Sequence, residues 1–264
     1  MQFKGKIIWI TGATSGIGKA MAMELANAGI HLILSGRNLQ ALEEVASHCK
    51  HMGSQVQVIP FDLSDTKSIE NAAKIALETN AKIDCLYQVG GISQRSFVAE
   101  TSLEVDRKIM EVNFFGTIAL VKAVLPSMIK NGSGHLAVTS SVVGKFGFPY
   151  RSAYAASKHA LHGFFESLRA ENVSNNIKVS VIIPGRIRTQ ISVNALDKEG
   201  NPYNKMDDGQ AGAMSAEKCA KIICRKLKKE KKEILVGGKE LLMVHFRRFF
   251  PALYYKLSSR VEAL

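Results

Sequence analysis

Short apolar segments rich in β-branched residues alternate along this chain with segments of helical length. Seven segments have the composition of buried strands, at residues 6–11, 31–35, 56–61, 84–89, 135–139, 178–183 and 233–236. Helix signals lie between them. They predict one helix from Ile17 to the stop at Gly29, one that begins at residue 65, and others at residues 38–50, 106–131, 150–173 and 216–232. The alternation predicts an α/β fold, a single doubly wound domain whose mostly parallel seven-stranded sheet has helices on both faces.

The length and composition fit one such domain. The chain has 264 residues, of which 46% are hydrophobic and 22% charged, and its longest purely apolar runs are only a few residues long. These runs are too short to cross a bilayer. We expect a catalytic or binding domain at residues 1–238 and a C-terminal extension of it at 239–264.

The four cysteines, Cys49, Cys85, Cys219 and Cys224, lack the spacing of a metal site. This pattern predicts no metal, and free buried thiols in a reducing cytoplasm.

The positive charge is concentrated near the C-terminus. The formal net charge is +12, and residues 215–264 contribute +8 of it, with 13 Lys and Arg against 5 Asp and Glu. The remaining +4 is a weak electrostatic footprint and no nucleic-acid-binding motif is recognisable, so we expect no nucleic-acid partner.

A glycine-rich turn follows the first strand and opens the first helix. It reads Thr11-Gly12-Ala13-Thr14-Ser15-Gly16-Ile17-Gly18. Glycines let the backbone approach a pyrophosphate, and the helix N-terminus offers it free N–H groups. A plain strand-to-helix turn also uses glycine, but the position after the first strand favours dinucleotide binding.

The end of the second strand indicates which dinucleotide. Folds that select NAD place a carboxylate there to bind the ribose 2′-hydroxyl, whereas this chain has Arg37 and no acid before Glu43. An arginine pairs with a 2′-phosphate, although it is also a common solvated turn residue. We therefore expect NADP(H) to be preferred over NAD(H).

Tyr154 and Lys158 are four residues apart in a predicted helix and so share one face. A free tyrosine has a pKa of about 10, and a nearby ammonium group lowers it, which would make the phenol a usable acid and base. Such a pair alone is usually a surface accident, and its position after the fifth strand is what gives it weight.

Together these elements resemble the short-chain dehydrogenase/reductase family across residues 5–238. The shared elements also include Asp62, Asn113, Ser140-Ser141 and Pro184-Gly185. The segments 90–96 and 154–165 resemble the member-seven branch of that family. The resemblance implies a Rossmann-type oxidoreductase that transfers hydride between nicotinamide and a carbonyl or secondary alcohol, and a homodimer or homotetramer.

The resemblance also assigns roles to residues. It implies a catalytic set in which Tyr154 is the general acid/base, Lys158 tunes it, Ser141 holds the substrate oxygen and Asn113 binds a relay water. The implied cofactor contacts are Thr11, Gly12, Thr14, Ser15, Gly16, Ile17, Gly18, Arg37, Asp62, Leu63, Gly90, Asn113, Tyr154, Lys158, Pro184, Gly185 and Thr189. Without the family, Asn113 would be interpreted as a capping or solvent-facing residue and Asp62 as a turn residue.

Two departures from the family pattern stand out. Gln88-Val89-Gly90-Gly91 replaces the family's Asn-Asn-Ala-Gly, which removes asparagines that brace the fourth strand. Ser15 stands where many NADP-preferring members have a basic residue, so Arg37 would hold the phosphate alone.

The substrate side is the least defined by the sequence. We expect the substrate to be a small-molecule carbonyl or alcohol. Its expected contacts are Ser141, Tyr154, Arg95 and Tyr150, and residues 190–214 are expected to form a binding loop. An NADP-binding regulator without enzymatic activity is the alternative function.

The C-terminal tail has an amphipathic pattern that admits three interpretations. Apolar residues recur at helical spacing from Leu242 to Leu257, broken at Pro251 and bordered by arginine and lysine. The tail could cover the substrate pocket, form an oligomer interface, or make peripheral contact with a membrane surface.

Overall fold

The computed structural model describes residues 1–27, 29–207, 209 and 212–258, and confirms the doubly wound fold. Seven parallel strands form one sheet, namely Ile7–Thr11 (β1), His31–Ser35 (β2), Gln55–Val58 (β3), Cys85–Gln88 (β4), Gly134–Thr139 (β5), Ile177–Pro184 (β6) and Glu233–Val236 (β9). Their order across the sheet is β3-β2-β1-β4-β5-β6-β9. A separate short pair joins Ile187–Arg188 (β7) to Met214–Ser215 (β8).

Helices cover both faces of the sheet because alternate side chains of each buried strand point to opposite sides. Trp9 packs with one apolar cluster, while Ile8 and Ile10 pack with the other. The helices are Gly16–Leu25 (α1), Leu39–His51 (α2), Thr66–Thr79 (α3), Leu103–Met110 (α4), Gly116–Lys130 (α5), Ser152–Glu171 (α6), Ala216–Lys228 (α7), Leu242–Phe249 (α8) and Pro251–Ser258 (α9). The helices α1, α2 and α7 cover one face, and α3, α5 and α6 cover the other.

The strand order creates a crevice at one edge of the sheet. β2 lies beside β1 on one side and β4 lies beside it on the other. The connection after β1 and the connection into β4 therefore run in opposite directions across the sheet. Thr11, the last residue of β1, is in register with Ser35 of β2 and Gln88 of β4. Ligands of open α/β sheets bind at such a switch point, outside the carboxyl ends of the strands.

Several element boundaries differ from those expected. α4 begins at Leu103 rather than 106, because Ser102 caps it by accepting a hydrogen bond from the N–H of Val105. α6 begins at Ser152 rather than 150, because Tyr150 has a φ of 63°, outside the helical region. β3 ends at Val58 rather than 61, and Pro60 cannot donate to a ladder. A π-helical turn, Glu111–Phe115, joins α4 to α5.

The continuous helix Leu103–Lys130 is long and apolar enough to cross a membrane by length and composition, since an 18-residue window within it has a mean hydropathy of 1.6. The apolar runs of the sequence do not indicate this, because polar residues interrupt each of them. Residues of α5 pack in the core against α3, and core helices pass the same test of composition.

The tail folds back onto the body of the protein. Tyr254 of α9 is buried in the main core cluster, and Met243 and Phe246 of α8 pack against that cluster. The expected division of the chain at residue 238 stays a prediction. Ala28, three residues of the 190–214 segment, and residues 259–264 with Arg260 lie outside the described part.

Candidate active site

One cavity of about 1160 Å³ opens at the carboxyl ends of the strands. Most residues proposed from the sequence lie on its wall. They are Thr11, Gly12, Thr14, Ser15, Gly16, Ile17, Gly18, Arg37, Asp62, Leu63, Gly90, Arg95, Ser141, Tyr154, Lys158, Pro184, Gly185 and Thr189. Two are not on the wall, namely Asn113 and Tyr150.

The glycine turn fits a ligand that approaches the backbone closely. Gly12 has a φ of +67°, and a Cβ added there would lie 2.6 Å from the backbone nitrogen of Gly90. The N-terminus of α1 follows at Gly16, without a side-chain cap on its free N–H groups. This cradle has the shape and polarity that a pyrophosphate requires.

The end of β2 carries a base and no acid on the cavity wall. Arg37 is exposed there, next to Gly36, and Asn38 uses its side chain to cap α2 through the N–H of Ala41, 3.0 Å away. The guanidinium group is therefore accessible to an anion in the cavity.

Tyr154 and Lys158 lie together on α6, with the Lys158 Nζ 5.7 Å from the centre of the Tyr154 ring. Lys158 is 4% exposed and donates a hydrogen bond to the carbonyl oxygen of Thr139, 2.8 Å away at the end of β5. Burial lowers the pKa of Lys158 to about 8.

The expected direction of the Tyr154 pKa was wrong. Burial raises the pKa of Tyr154 above its usual value, and this effect outweighs the lowering by a hydrogen bond with Ser141 and by the charges of Arg95 and Arg151. The sequence shows the spacing of Tyr154 and Lys158 but not the burial of the phenol. At neutral pH Tyr154 is therefore a neutral phenol and a proton donor.

Asn113 is fully buried behind the cavity wall, in the π-helical turn. Its Oδ1 accepts from the N–H of Ile92 at 2.8 Å, and its Nδ2 donates to the carbonyl of Ile92 at 2.9 Å and to Ser157 Oγ at 3.0 Å. The side chain thus joins the segment after β4 to α6. A Cβ on Gly91 would lie 2.9 Å from Asn113 Oδ1, which explains the glycine there.

The departure at Gln88 is compensated in part. Its Nε2 donates to the carbonyl oxygen of Thr117 in α5 at 2.9 Å, so β4 is still braced against that helix. The Oε1 of Gln88 is buried without a hydrogen-bond partner among the described residues.

Two arginines and an aspartate form a buried charged cluster on the cavity wall. Asp207, from the 190–214 loop, accepts from Arg95 at 2.7 Å and from Arg151 at 2.8 Å. Burial raises the pKa of Asp207, but the hydrogen bonds and charges of the two arginines hold it below its usual range. Arg95 was expected at this site but Asp207 was not, because nothing in the sequence indicates this long-range contact.

Tyr150 does not reach the cavity wall. Its ring packs against that of Phe97 instead, with the ring centres 4.1 Å apart. Apolar residues of the tail, Met243, Tyr254 and Leu257, take part in the lining instead. The helical periodicity of these residues is visible in the sequence, but the sequence does not show which part of the protein they contact.

The fold and the cavity define a class of protein: an α/β oxidoreductase with a nicotinamide dinucleotide site at the switch point of its sheet. The family model for short chain dehydrogenase matches residues 6–200, and the chain belongs to the short-chain dehydrogenase/reductase family. It is 41% identical to a dehydrogenase/reductase SDR family protein 7-like of Drosophila melanogaster, over 98% of this chain and 81% of that protein.

Other relatives agree with this assignment. The SDR family member 7B of Xenopus laevis is 41% identical over 96% of this chain and 80% of its own length. Among solved structures, a short-chain dehydrogenase/reductase of Burkholderia phymatum in complex with NAD has a TM-score of 0.85 and 25% identity, covering 96% of both chains. An alcohol dehydrogenase of Thermococcus sibiricus complexed with 5-hydroxy-NADP has a TM-score of 0.75 and 26% identity, covering 89% of this chain and 97% of that one.

Proposed function

We propose that the protein is an NADP(H)-preferring oxidoreductase that interconverts a carbonyl and a secondary alcohol on a hydrophobic substrate, with Tyr154 as general acid/base. The observation that carries this proposal is that Ser141, Tyr154 and Lys158 meet on the wall of the same cavity as the glycine turn. An NADP-binding regulator without activity would have no need of this set.

The cofactor assignment follows from the fit of the cavity. The glycine turn and the N-terminus of α1 would hold the pyrophosphate, and Pro184, Gly185 and Thr189 would flank the nicotinamide. Arg37 would pair with the 2′-phosphate, where a carboxylate would repel it. The bound nicotinamide supplies or accepts the hydride.

The proton chemistry belongs to Tyr154. A neutral phenol can donate its proton to a carbonyl oxygen, and the Ser141 hydroxyl would hold the same oxygen as negative charge develops on it. The Lys158 ammonium group and the two arginines then favour the phenolate that remains. A relay water at Asn113 would have to bind through its backbone, because its side chain is already engaged by Ile92 and Ser157.

The tail is proposed to cover the substrate pocket. Tyr254 Oη donates to the carbonyl oxygen of Gly147 at 2.7 Å, and Glu240 accepts from the N–H of Arg186 at 2.7 Å, next to Gly185. These contacts fix both ends of residues 239–258 over the cavity. The apolar lining from Met243 and Leu257 favours a hydrophobic substrate.

The outer face of the tail supports a second role, peripheral contact with a membrane surface. Leu242, Phe249 and Phe250 are 59–68% exposed on this face, beside Arg247 and Arg248. Exposed aromatic and aliphatic side chains bordered by arginine are typical of segments that lie in a bilayer interface.

We further infer a cytoplasmic homodimer or homotetramer. The resemblance carries the oligomeric state, and the four free, buried cysteines favour a reducing compartment. Analytical ultracentrifugation of the full chain measures the oligomeric state directly.

The experiment that tests the proposed activity is NADPH oxidation by the full-length protein against a panel of hydrophobic ketones and aldehydes. Turnover of at least one of them is expected. NADPH binding without turnover across the panel would favour the regulator instead.

A further inference from the structure

Three side chains bring electron-pair donors together where α6 meets the edge strand β9, outside the cavity. The Nδ1 atom of His162 and carboxylate oxygens of Glu166 and Glu233 lie within 4.8 Å of one another. His162 and Glu166 are one helical turn apart on α6, and Glu233 is the first residue of β9. None of the three lines the cavity described above.

The two ring nitrogens of His162 have different surroundings. The Nε2 atom lies 2.9 Å from the Ser140 hydroxyl, which is also 3.1 Å from the carbonyl oxygen of Lys158. The Nδ1 atom lies on the side of the two carboxylates. A metal ion on Nδ1 would leave the ring proton on Nε2, facing Ser140.

The Nδ1 atom of His162 is buried and has no hydrogen-bond partner within the described part of the chain. His162 is 8% exposed, and the Oε1 atom of Glu166 is 3.9 Å from its Nδ1, beyond hydrogen-bond distance. An unpartnered buried ring nitrogen beside two carboxylates leaves a position where a cation could be bound by all three groups.

We propose that His162, Glu166 and Glu233 form a binding site for a divalent transition-metal ion of the Zn²⁺ type. One imidazole nitrogen and two carboxylate oxygens are a donor set that Zn²⁺ accepts, with bonds of about 2.0–2.2 Å and room for a water as the fourth ligand. Both glutamates are exposed, with side chains 53% and 41% accessible, so their carboxylates can close on the ion by rotation.

Lys145 competes with the ion for one ligand. Its Nζ lies 2.7 Å from Oε1 of Glu233, so binding must displace this ammonium group or share the carboxylate with it. Removal of the lysine charge should therefore strengthen metal binding, which gives the proposal a gain-of-affinity test.

The site would connect the metal to the helix that carries Tyr154 and Lys158. A metal on Nδ1 makes the Nε2–H of His162 a stronger donor to Ser140, the neighbour of Ser141. It would also clamp α6 to β9. We therefore expect metal binding to stabilise the folded chain, whether or not the protein has the proposed activity.

The test is calorimetric titration of the chelator-treated, full-length protein with Zn²⁺, with thermal unfolding and Co²⁺ absorption as further readouts. One equivalent should bind saturably and raise Tm by about 5 °C at 100 times the Kd. Glu166→Gln and Glu233→Gln, both at exposed positions, should weaken binding at least ten-fold. Lys145→Met should tighten it several-fold.

Two controls separate this site from adventitious binding. Glu171→Gln removes an exposed carboxylate from the same helix and should leave the affinity unchanged. His48 and His51, exposed one turn apart on α2, are the alternative surface site, and the double His48→Asn, His51→Asn variant should also bind normally. Absence of saturable binding, or binding abolished by the α2 double variant and unaffected by Glu166→Gln and Glu233→Gln, would overturn the proposal.

Discussion

The side-chain oxygen of Gln94 accepts a hydrogen bond from the backbone N–H of Ala153, 3.0 Å away, in the first turn of the helix that carries Tyr154. The residue before this helix, Arg151, provides no side-chain cap. The Nε2 atom of Gln94 lies within hydrogen-bond distance of the hydroxyls of Ser96, Thr101 and Ser152, to which its two hydrogens can donate, and the side chain is fully buried. Gln94 therefore fixes the start of α6 from the loop after β4.

Replacement of this cap should move Tyr154 without touching the cavity. Gln94→Leu removes the partner of the Ala153 N–H and of the Ser152 hydroxyl, while Ser96 and Thr101 keep their bond to each other, and should lower the free energy of unfolding by about 2–4 kcal/mol. We expect kcat to fall about ten-fold with a smaller change in KM, since a displaced catalytic group lowers turnover more than binding.

The comparison variant is Gln94→Glu, which keeps an oxygen toward Ala153 and should retain more of the turnover. Equal kcat values for Gln94→Leu and the natural protein would show that Gln94 has no positioning role.

The parts of the fold that depend on local pattern were predictable. The strands, the glycine turn and the spacing of Tyr154 and Lys158 can be read from periodicity, because each is set by near neighbours in sequence. The buried Arg95–Asp207 pair joins residues 112 positions apart, and the Tyr154 pKa depends on burial by several elements at once. Such features arise from tertiary packing, and no sequence window contains them.

Arg37 should decide the choice between the two dinucleotides. Arg37→Glu places a carboxylate where a 2′-phosphate would lie, so the Kd for NADPH should rise at least ten-fold while that for NADH changes little or falls. Fluorescence titration with both cofactors measures the two constants. Arg225→Glu makes the same charge change at an exposed position of α7 outside the cavity, and should alter neither. Tighter binding of NADH than NADPH to the natural protein would contradict the assignment.

The buried charge of Lys158 should lower the free energy of unfolding of the protein, although the proposed activity requires this residue. Its folded pKa of about 8 lies below the unfolded value of 10.5, so the unfolded state binds more protons between these values. The free energy of unfolding should therefore rise with pH from about 8 to 10.5, and the full penalty should apply at pH 7.

Lys158→Met removes this buried charge. It should abolish turnover and raise the free energy of unfolding at pH 7 by about 2 kcal/mol, an advantage that shrinks toward pH 10.5. Urea unfolding at pH 7 and pH 10 provides the measurement. A variant that is less stable than the natural protein at pH 7 would contradict burial as the cause of the low pKa.

The tail offers a test that separates its two proposed roles. Truncation to residues 1–238 removes the cover over the cavity, and should raise KM for a hydrophobic substrate and lower Tm, because Tyr254 and Phe246 leave the core. In a flotation assay with anionic liposomes, the full chain should float with the liposomes and the truncated chain should not.

A second variant tests the membrane role without removing the cover. Phe249→Ser with Phe250→Ser changes only exposed side chains, and should abolish flotation with little effect on KM. Equal flotation of all three proteins would exclude membrane contact through the tail.

The central claim is that Tyr154 is the acid/base of an NADPH-dependent reductase, and one paired measurement tests it. NADPH oxidation is followed with the best carbonyl substrate of the panel, for the natural protein and for Tyr154→Phe, together with the Kd of each for NADPH. We predict that the variant loses turnover by at least a thousand-fold while its Kd changes less than three-fold, because the ring is kept and only the titrating hydroxyl is lost. Turnover by Tyr154→Phe close to that of the natural protein would contradict the account.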